Sequence, residues 1–507
     1  MVGFPILTWM LLLPLGGALL ILAIPRDRTG TIRWIALGTS LGVLGLALGL
    51  LFGFDPAQPG PQFVHRWDWA PSIGAAYRVG VDGISLWLVL LTALIFPLAL
   101  AASWTVEERG KEYMALMLAL ETGVLGVFAA LDLLLFYIFW EFTLVPMTFL
   151  IGIWGGPRRV YAAVKFFLYT MAGSVLMLVA IVALWLLSRP LTGTGTFDPI
   201  WMATHLSPLL SPEAQRWLFL AFGLAFAIKV PMWPFHSWLP DAHVEAPTAG
   251  SVILAALLLK MGGYGFLRFN FPLFPAAAQE LAVPIAALAV VAILYGAIAS
   301  YTQNDFKRLV AFSSVSHMGF VMLGLAALNP LGVQAAILQM VNHGLSTGGL
   351  FLLVGMLYER THTRDFGELG GLWKALPVYG AVLMVVGFSS MGLPGLNGFV
   401  GEFLALLGAF GSAALGPAAR GLTAVAAFGV VLAAIYILTM LMRVLHGPLP
   451  ERWRGLPDLN GRELAIIAPL LVLILFIGLY PLPFFAAMQA SVQHNLSAMV
   501  PSVWALR

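Results

Sequence analysis

The chain contains no cysteine among its 507 residues, which excludes structural disulfides and any thiolate-ligated iron–sulfur cluster within it. Charge is also scarce. Asp, Glu, Lys and Arg make up 10% of the residues against 60% hydrophobic, and mean hydropathy is +0.93, which leaves too little polar side chain to cover a water-soluble protein of this length. The chain reads as a polytopic membrane protein. The formal net charge is only +3, so the pI near 9.1 does not point to nucleic acid as a partner. A basic leader is missing too: Arg26 and Arg28 follow the first apolar run instead of preceding it. That run therefore reads as a retained first span, with no signal or transit peptide.

What the chain has is apolar length. Stretches near the 20 residues needed to cross a hydrocarbon core lie at 4–24, 32–54, 84–102, 114–130, 131–154, 160–187, 217–234, 248–269, 281–301, 309–328, 333–358, 376–410, 422–445 and 464–485. The expected fold is all-α, with about fourteen transmembrane helices. Threading the chain with its N-terminus outside puts seventeen Lys and Arg on the inner side and seven on the outer. That asymmetry fits the positive-inside rule and places both termini on the periplasmic side.

Two of these stretches carry breaks. VPMWPFHSWLP, from Val230, holds three prolines, and MGLPGLNGFVGEF, from Met391, holds a proline among glycines 392, 395, 398 and 401. Proline removes an N–H and clashes with the preceding turn, so both spans are expected to be discontinuous helices. Interrupted membrane helices line polar cavities where ions bind. The breaks fall five spans apart, in the seventh and the twelfth, and an odd offset inverts the two halves. The expected organisation is helices 1–3 over 1–113, two inverted five-helix repeats over 114–280 and 281–445, and a C-terminal loop and last helix over 446–507.

Ionisable residues inside the spans are few: Glu121, Glu141, Lys229, Lys260, His317, His343 and Glu402, with Asp132 at a boundary. A lysine at mid-membrane costs roughly 2.5–3.5 kcal/mol on insertion scales, so it is retained where it is paired, wetted and functional. Glu141, in FYIFWEFTLVPM, is the expected partner of Lys229. Burial disfavours an ammonium and a nearby carboxylate favours it, so their separation would control proton loading. The competing reading is a fixed structural ion pair. His317 and His343 lie on consecutive spans among Ser, Asn, Gln and Gly, which suits a proton relay. Haem ligation and helix-to-helix hydrogen bonding are the alternatives. Glu121 reads equally as a packing carboxylic acid or a coupling residue. His236 and His243, with Asp241 and Glu245, lack metal-ligand spacing and read as an inner-face loop feeding protons to Lys229.

With these residues in view, the chain resembles the antiporter-like subunits of respiratory complex I, of the subunit M or chain 4 type. The resemblance covers nearly the whole chain and rests on VGVDGIS from Val79, FWEFTLVPM from Phe139, KVPMWPFHSWLPDAHVEAPTAGSVILAALLLKMGGYG from Lys229, NDFKRLVAFSSVSHMG from Asn304, NHGLSTGGLF from Asn342 and GLPGLNGFVGEF from Gly392. It implies a fold of fourteen helices with two inverted repeats and two discontinuous helices. It also implies roles: Glu141 and Lys229 as a regulatory pair, Lys260 as the central lysine, His317 and His343 on a hydrated axis, and Glu402 as the terminal acid. Related Mrp-type sodium/proton antiporter subunits carry lysine at that last position, so Glu402 favours subunit M. The chain also stops soon after its last span, without a long lateral helix.

The function so implied is proton translocation in a bacterial inner-membrane NADH:quinone oxidoreductase. NADH, FMN, iron–sulfur clusters and quinone would reside in partner subunits and none in this chain. The remaining alternatives are an Mrp-type antiporter subunit, the equivalent subunit of a ferredoxin-fed photosynthetic complex, and a passive membrane scaffold.

Overall fold

The computed structural model describes residues 5–499. Phe4 and Arg507, and with them the expected placement of both chain ends, lie outside the described residues. The described chain is mostly helical, with eleven helices long and apolar enough to cross a membrane and three shorter apolar ones, Leu86–Ala102, Pro377–Ser390 and Asn397–Phe410. Polar side chains close several exposed helix starts. Asp132 accepts from the N–H groups of Leu134 and Leu135, Asp305 from Arg308, and Asn460 forms a capping box with Glu463, each satisfying donors that have no partner inside the helix.

Burial sorts the helices. Thr248–Leu273, Phe306–Ala326 and Pro330–Thr361 are buried throughout their apolar windows, whereas Arg159–Thr192 and Ala418–Leu445 are only 39% buried. The three interior helices carry Lys260, His317 and His343. Their polar side chains are therefore surrounded by protein and not by lipid, the arrangement expected of ionisable groups at membrane depth.

Three expectations need correction. The fold is not all-α: Gln62–Ala70 and Ala75–Val81 pair as an antiparallel hairpin with His65 opposite Val79 and Trp67 opposite Tyr77. The signal was local. QFVHRWDWA is rich in aromatic and β-branched residues, and Gly74 turns the chain at φ +70°, where an added Cβ would meet the Gly195 carbonyl oxygen at 2.1 Å. Second, the segment read as one final helix folds as two, Gly461–Leu479 and Leu482–Met499. Pro481 and Pro483 follow Tyr480, which ends the first helix at φ −140°, and neither proline can continue it. Third, the helix bearing Lys260 is not a regular α-helix, because π turns at Leu254–Leu258 and Phe266–Asn270 flank that lysine.

Both expected breaks are present. One helix ends at Lys229 and the next begins at Trp238, with the Trp238 indole donating to the freed carbonyl of Ile228 at 2.9 Å. Pro240 falls in the first turn of the second piece, where a missing N–H costs nothing. The other break separates Ser390 from Asn397, with Gly392 and Gly395 at φ +77° and +92°.

Candidate functional site

The break after Lys229 leaves its side chain at a helix end among aromatic rings. The ammonium lies 5.2 Å from the centre of the Trp140 ring and 5.7 Å from that of Phe166, a distance at which a cation is attracted to the ring face. Glu141 is on the same helix as Trp140 and acts electrostatically on Lys229. The two make no ion pair within 4.0 Å, and Glu141 Oε1 is buried without a hydrogen-bond partner. The expected pair is thus near but not in contact. A sequence can place the two groups on neighbouring helices, yet their separation depends on how those helices pack.

In the other half the groups lie closer together. Lys260 Nζ lies 2.5 Å from His343 Nδ1 and also donates to the carbonyl of Ala255, a residue inside the first π turn. Such turns recur at functional sites because they disturb the regular i−4 ladder. The His343 and His317 ring centres are 5.7 Å apart. His317 Nδ1 lies 2.6 Å from Glu402 Oε1, which also accepts from Gln339 Nε2 at 3.0 Å. All four of Lys260, His343, His317 and Glu402 are buried, none more than 3% exposed.

Several features hold that line in place. Glycine at 401 lets the Glu402 helix approach, since a Cβ there would stand 2.2 Å from Gln339 Oε1. Asn397, first residue of the same helix, accepts from Ser389 at 2.5 Å across the break, and its carbonyl accepts from Asn342 at 2.7 Å. A cavity of about 10 Å³ lined by His317, Gln339, His343, Ser390 and Glu402 lies between them, at the margin of what one water needs. His343 Nε2 and Glu402 Oε2 are buried with no partner, so a polar valence is left free between the two histidines and another at the Glu402 end of the line.

A family model described as "NADH:quinone oxidoreductase/Mrp antiporter, TM" matches residues 130–445. The NADH-quinone oxidoreductase subunit M of Rhodobacter capsulatus is 47% identical over 489 residues, covering 92% of each chain. The chain belongs to this family. Among solved structures, a chain of respiratory complex I from Thermus thermophilus with bound NADH superimposes with a TM-score of 0.87 at 33% identity, covering 97% of this chain and 99% of that one. A chain of the Mrp complex from Dietzia sp. DQ12-45-1b gives 0.81 at 25% identity over 99% of this chain and 56% of that one.

Within this family member, some polar groups were not singled out by the sequence. Tyr436 places its hydroxyl 3.0 Å from His317 Nε2, and Ser390 lies 3.3 Å from the same nitrogen. A lone tyrosine in an apolar helix gives no sign of its partner, so only packing reveals it. His243 is fully buried, stacked on Phe351 at 4.6 Å, with Lys307 and Lys260 in electrostatic reach. It thus faces the Lys260 half and not Lys229, contrary to the expectation for that loop. Lys307 itself, counted from sequence as an inner-edge charge, is 6% exposed and donates to the Ala246 carbonyl at 2.5 Å.

The remaining candidates stand apart. His236 packs edge-on against Tyr295 at 4.8 Å, and Asp241 pairs with Lys165 at 2.7 Å. Glu121 is fully buried and accepts from Ser40 at 2.8 Å, away from the line of lysines and histidines. Asp132 is spent on capping its own helix, accepting from the N–H groups of Leu134 and Leu135. Among the described residues, no group of three or more His, Asp or Glu is arranged to hold a metal ion.

Proposed function

We propose that this chain is a proton-translocating membrane subunit of an NADH:quinone oxidoreductase, with protons passing along Lys260, His343, His317 and Glu402. The observation that carries the reading is the buried line of these four side chains, in which Lys260 meets His343, His317 meets Glu402, and the two histidine rings face each other across 5.7 Å. A proton on Lys260 Nζ can pass to His343 Nδ1. Loss of the proton from His343 Nε2 then delivers it toward His317 across the small cavity, and His317 Nδ1 passes it to the Glu402 carboxylate. Histidine suits each hop because one nitrogen can accept while the other releases.

Glu141 and Lys229 form the inlet in this reading. Their separation keeps the lysine loaded or unloaded, and closing it stabilises the ammonium. The fold completing this scheme has fourteen membrane helices, two inverted repeats over 114–280 and 281–445, both termini on the periplasmic side of a bacterial inner membrane, and no redox centre in the chain. NADH, FMN, iron–sulfur clusters and quinone belong to the partner subunits. Glu121 has the secondary role of coupling to neighbouring helices.

The test is the proton-to-electron ratio of the assembled complex in sealed vesicles with Glu402→Gln, which keeps shape and hydrogen-bonding reach but cannot ionise. A lower ratio with retained assembly is expected, and an unchanged ratio would overturn the assignment. The likeness to an Mrp complex chain supports a second reading as a sodium/proton antiporter subunit. Sodium-dependent proton release in the absence of NADH would favour it.

A further inference from the structure

We propose that the cavity beside Trp87 binds one acyl chain of a diacyl phospholipid, whose glycerol-ester carbonyl accepts the Trp87 indole N–H. The cavity, about 170 Å³, lies between the helices Thr29–Gly53, Leu86–Ala102, Pro330–Thr361 and Gly461–Leu479, and all its lining side chains are apolar or aromatic. Leu48, in its wall, is 42% exposed, so the cavity opens to the outside of the chain.

The wall residues repeat along their helices. Leu44 and Leu48 are four apart, Leu90 and Leu94 likewise, and Leu473 and Ile477 likewise, so the cavity is a slot running along the helix axes for more than a turn. That is the direction of alkyl chains in a bilayer. One polar side-chain atom interrupts the apolar wall: Trp87 Nε1 is buried without a hydrogen-bond partner, its ring held 4.2 Å from Phe484. A buried donor left unpaired is costly, and an acceptor on the occupant would remove that cost.

Trp87 is the second residue of its helix, at the end of the bundle that carries the β-hairpin. An indole at a span's end sits at the level of the lipid headgroups, where ester carbonyls lie. The occupant therefore needs an apolar chain more than a helical turn long and a carbonyl at its polar end. Val341 and Leu345 in the slot each lie two residues from His343, about 200° around the same helix. A single helix thus separates the acyl chain from the histidine line.

The test uses the whole complex in phosphatidylethanolamine and phosphatidylglycerol vesicles containing a phosphatidylethanolamine with a photoactivatable diazirine in one acyl chain. Adducts are mapped by mass spectrometry. Peptides spanning 44–51, 87–94 and 473–477 should carry more adduct than the lipid-facing helix Arg159–Thr192 used as reference. Trp87→Phe keeps the ring and loses the donor, and it should lower labelling in the slot about two- to tenfold, the effect of one hydrogen bond, without changing the reference. Leu90→Trp should fill the slot and remove the labelling; if that variant fails to assemble, Trp87→Phe alone decides. Equal labelling of slot and reference in wild type and Trp87→Phe would show passing bilayer lipid and overturn the proposal. So would preferential labelling by a photoactivatable isoprenoid quinone, or crosslinking of the slot to a partner subunit.

Discussion

The two halves of the molecule hold the same chemistry at different separations. Around Lys229 the acid and base are near neighbours without contact, and the ammonium rests on the faces of Trp140 and Phe166. Around Lys260 each group touches or faces the next, from Lys260 Nζ at 2.5 Å from His343 to His317 at 2.6 Å from Glu402. A separated pair is suited to control, while a line of closely spaced groups is suited to conduction. Under the proposed function the first half decides when a proton enters, and the second carries it.

The largest effect should come from cutting the connected half. Glu402→Gln removes the group that closes the line, so proton translocation by an assembled complex should fall about tenfold or more, read as the pH change in sealed vesicles at matched quinone reduction. Normal pumping would show that the second half does not conduct. Next comes Lys229→Arg, which keeps a cation against Trp140 but holds its proton with a pKa above about 12. A control site should lose most of its pumping, whereas a structural ion pair would tolerate the change, and a dose of protonophore separates uncoupling from inactivity.

The connected half also has a fixed anchor. Arg268, eight residues beyond Lys260 on the same interior helix, pairs with Asp82 at 2.5 Å and donates from Nε to Tyr264 at 3.2 Å. Burial raises the Asp82 carboxyl, but the Arg268 charge and two backbone N–H groups outweigh it and hold it below its ordinary value. Its stabilisation is therefore complete above the unfolded value of about 3.9 and is lost as pH falls through the lower folded one. Asp82→Asn should cost about 3 kcal/mol because it leaves Arg268 buried and unpaired. The melting temperature of the solubilised complex should drop by several degrees near neutrality and, unlike wild type, show no further contribution from this pair in acid. The smallest effect is expected from Tyr436→Phe, which takes one hydrogen bond from His317 Nε2 and should slow pumping about two- to tenfold. No change would mean that the Tyr436 contact plays no part in orienting the ring.

Much of this was legible in the amino-acid order because lipid imposes a severe rule. Apolar runs of span length, two proline-and-glycine interruptions and a handful of membrane charges sufficed to anticipate helices, breaks and the residues worth testing. The hairpin at 62–81 escaped because its short strands lie between spans and carry neither an apolar run nor a strict alternation. The π turns beside Lys260 escaped because LAALL reads as ordinary helix. His243 was assigned to the wrong lysine for a related reason: position along the chain places it on the broken helix, but the turn at 230–237 swings that piece toward Lys260 and Lys307.

Alone, the sequence determined that this protein lies in a membrane, that its backbone breaks after Lys229 and after Ser390, and which side chains bear ionisable groups there. Periodicity and proline act within a few residues, so they can be read locally. Only the tertiary structure decided which of those groups meet. Whether Glu141 reaches Lys229, which nitrogen of His317 faces Glu402, and that Tyr436 supplies its other partner depend on helix approach distances of a few ångströms, fixed by glycines and packed rings far apart in the chain.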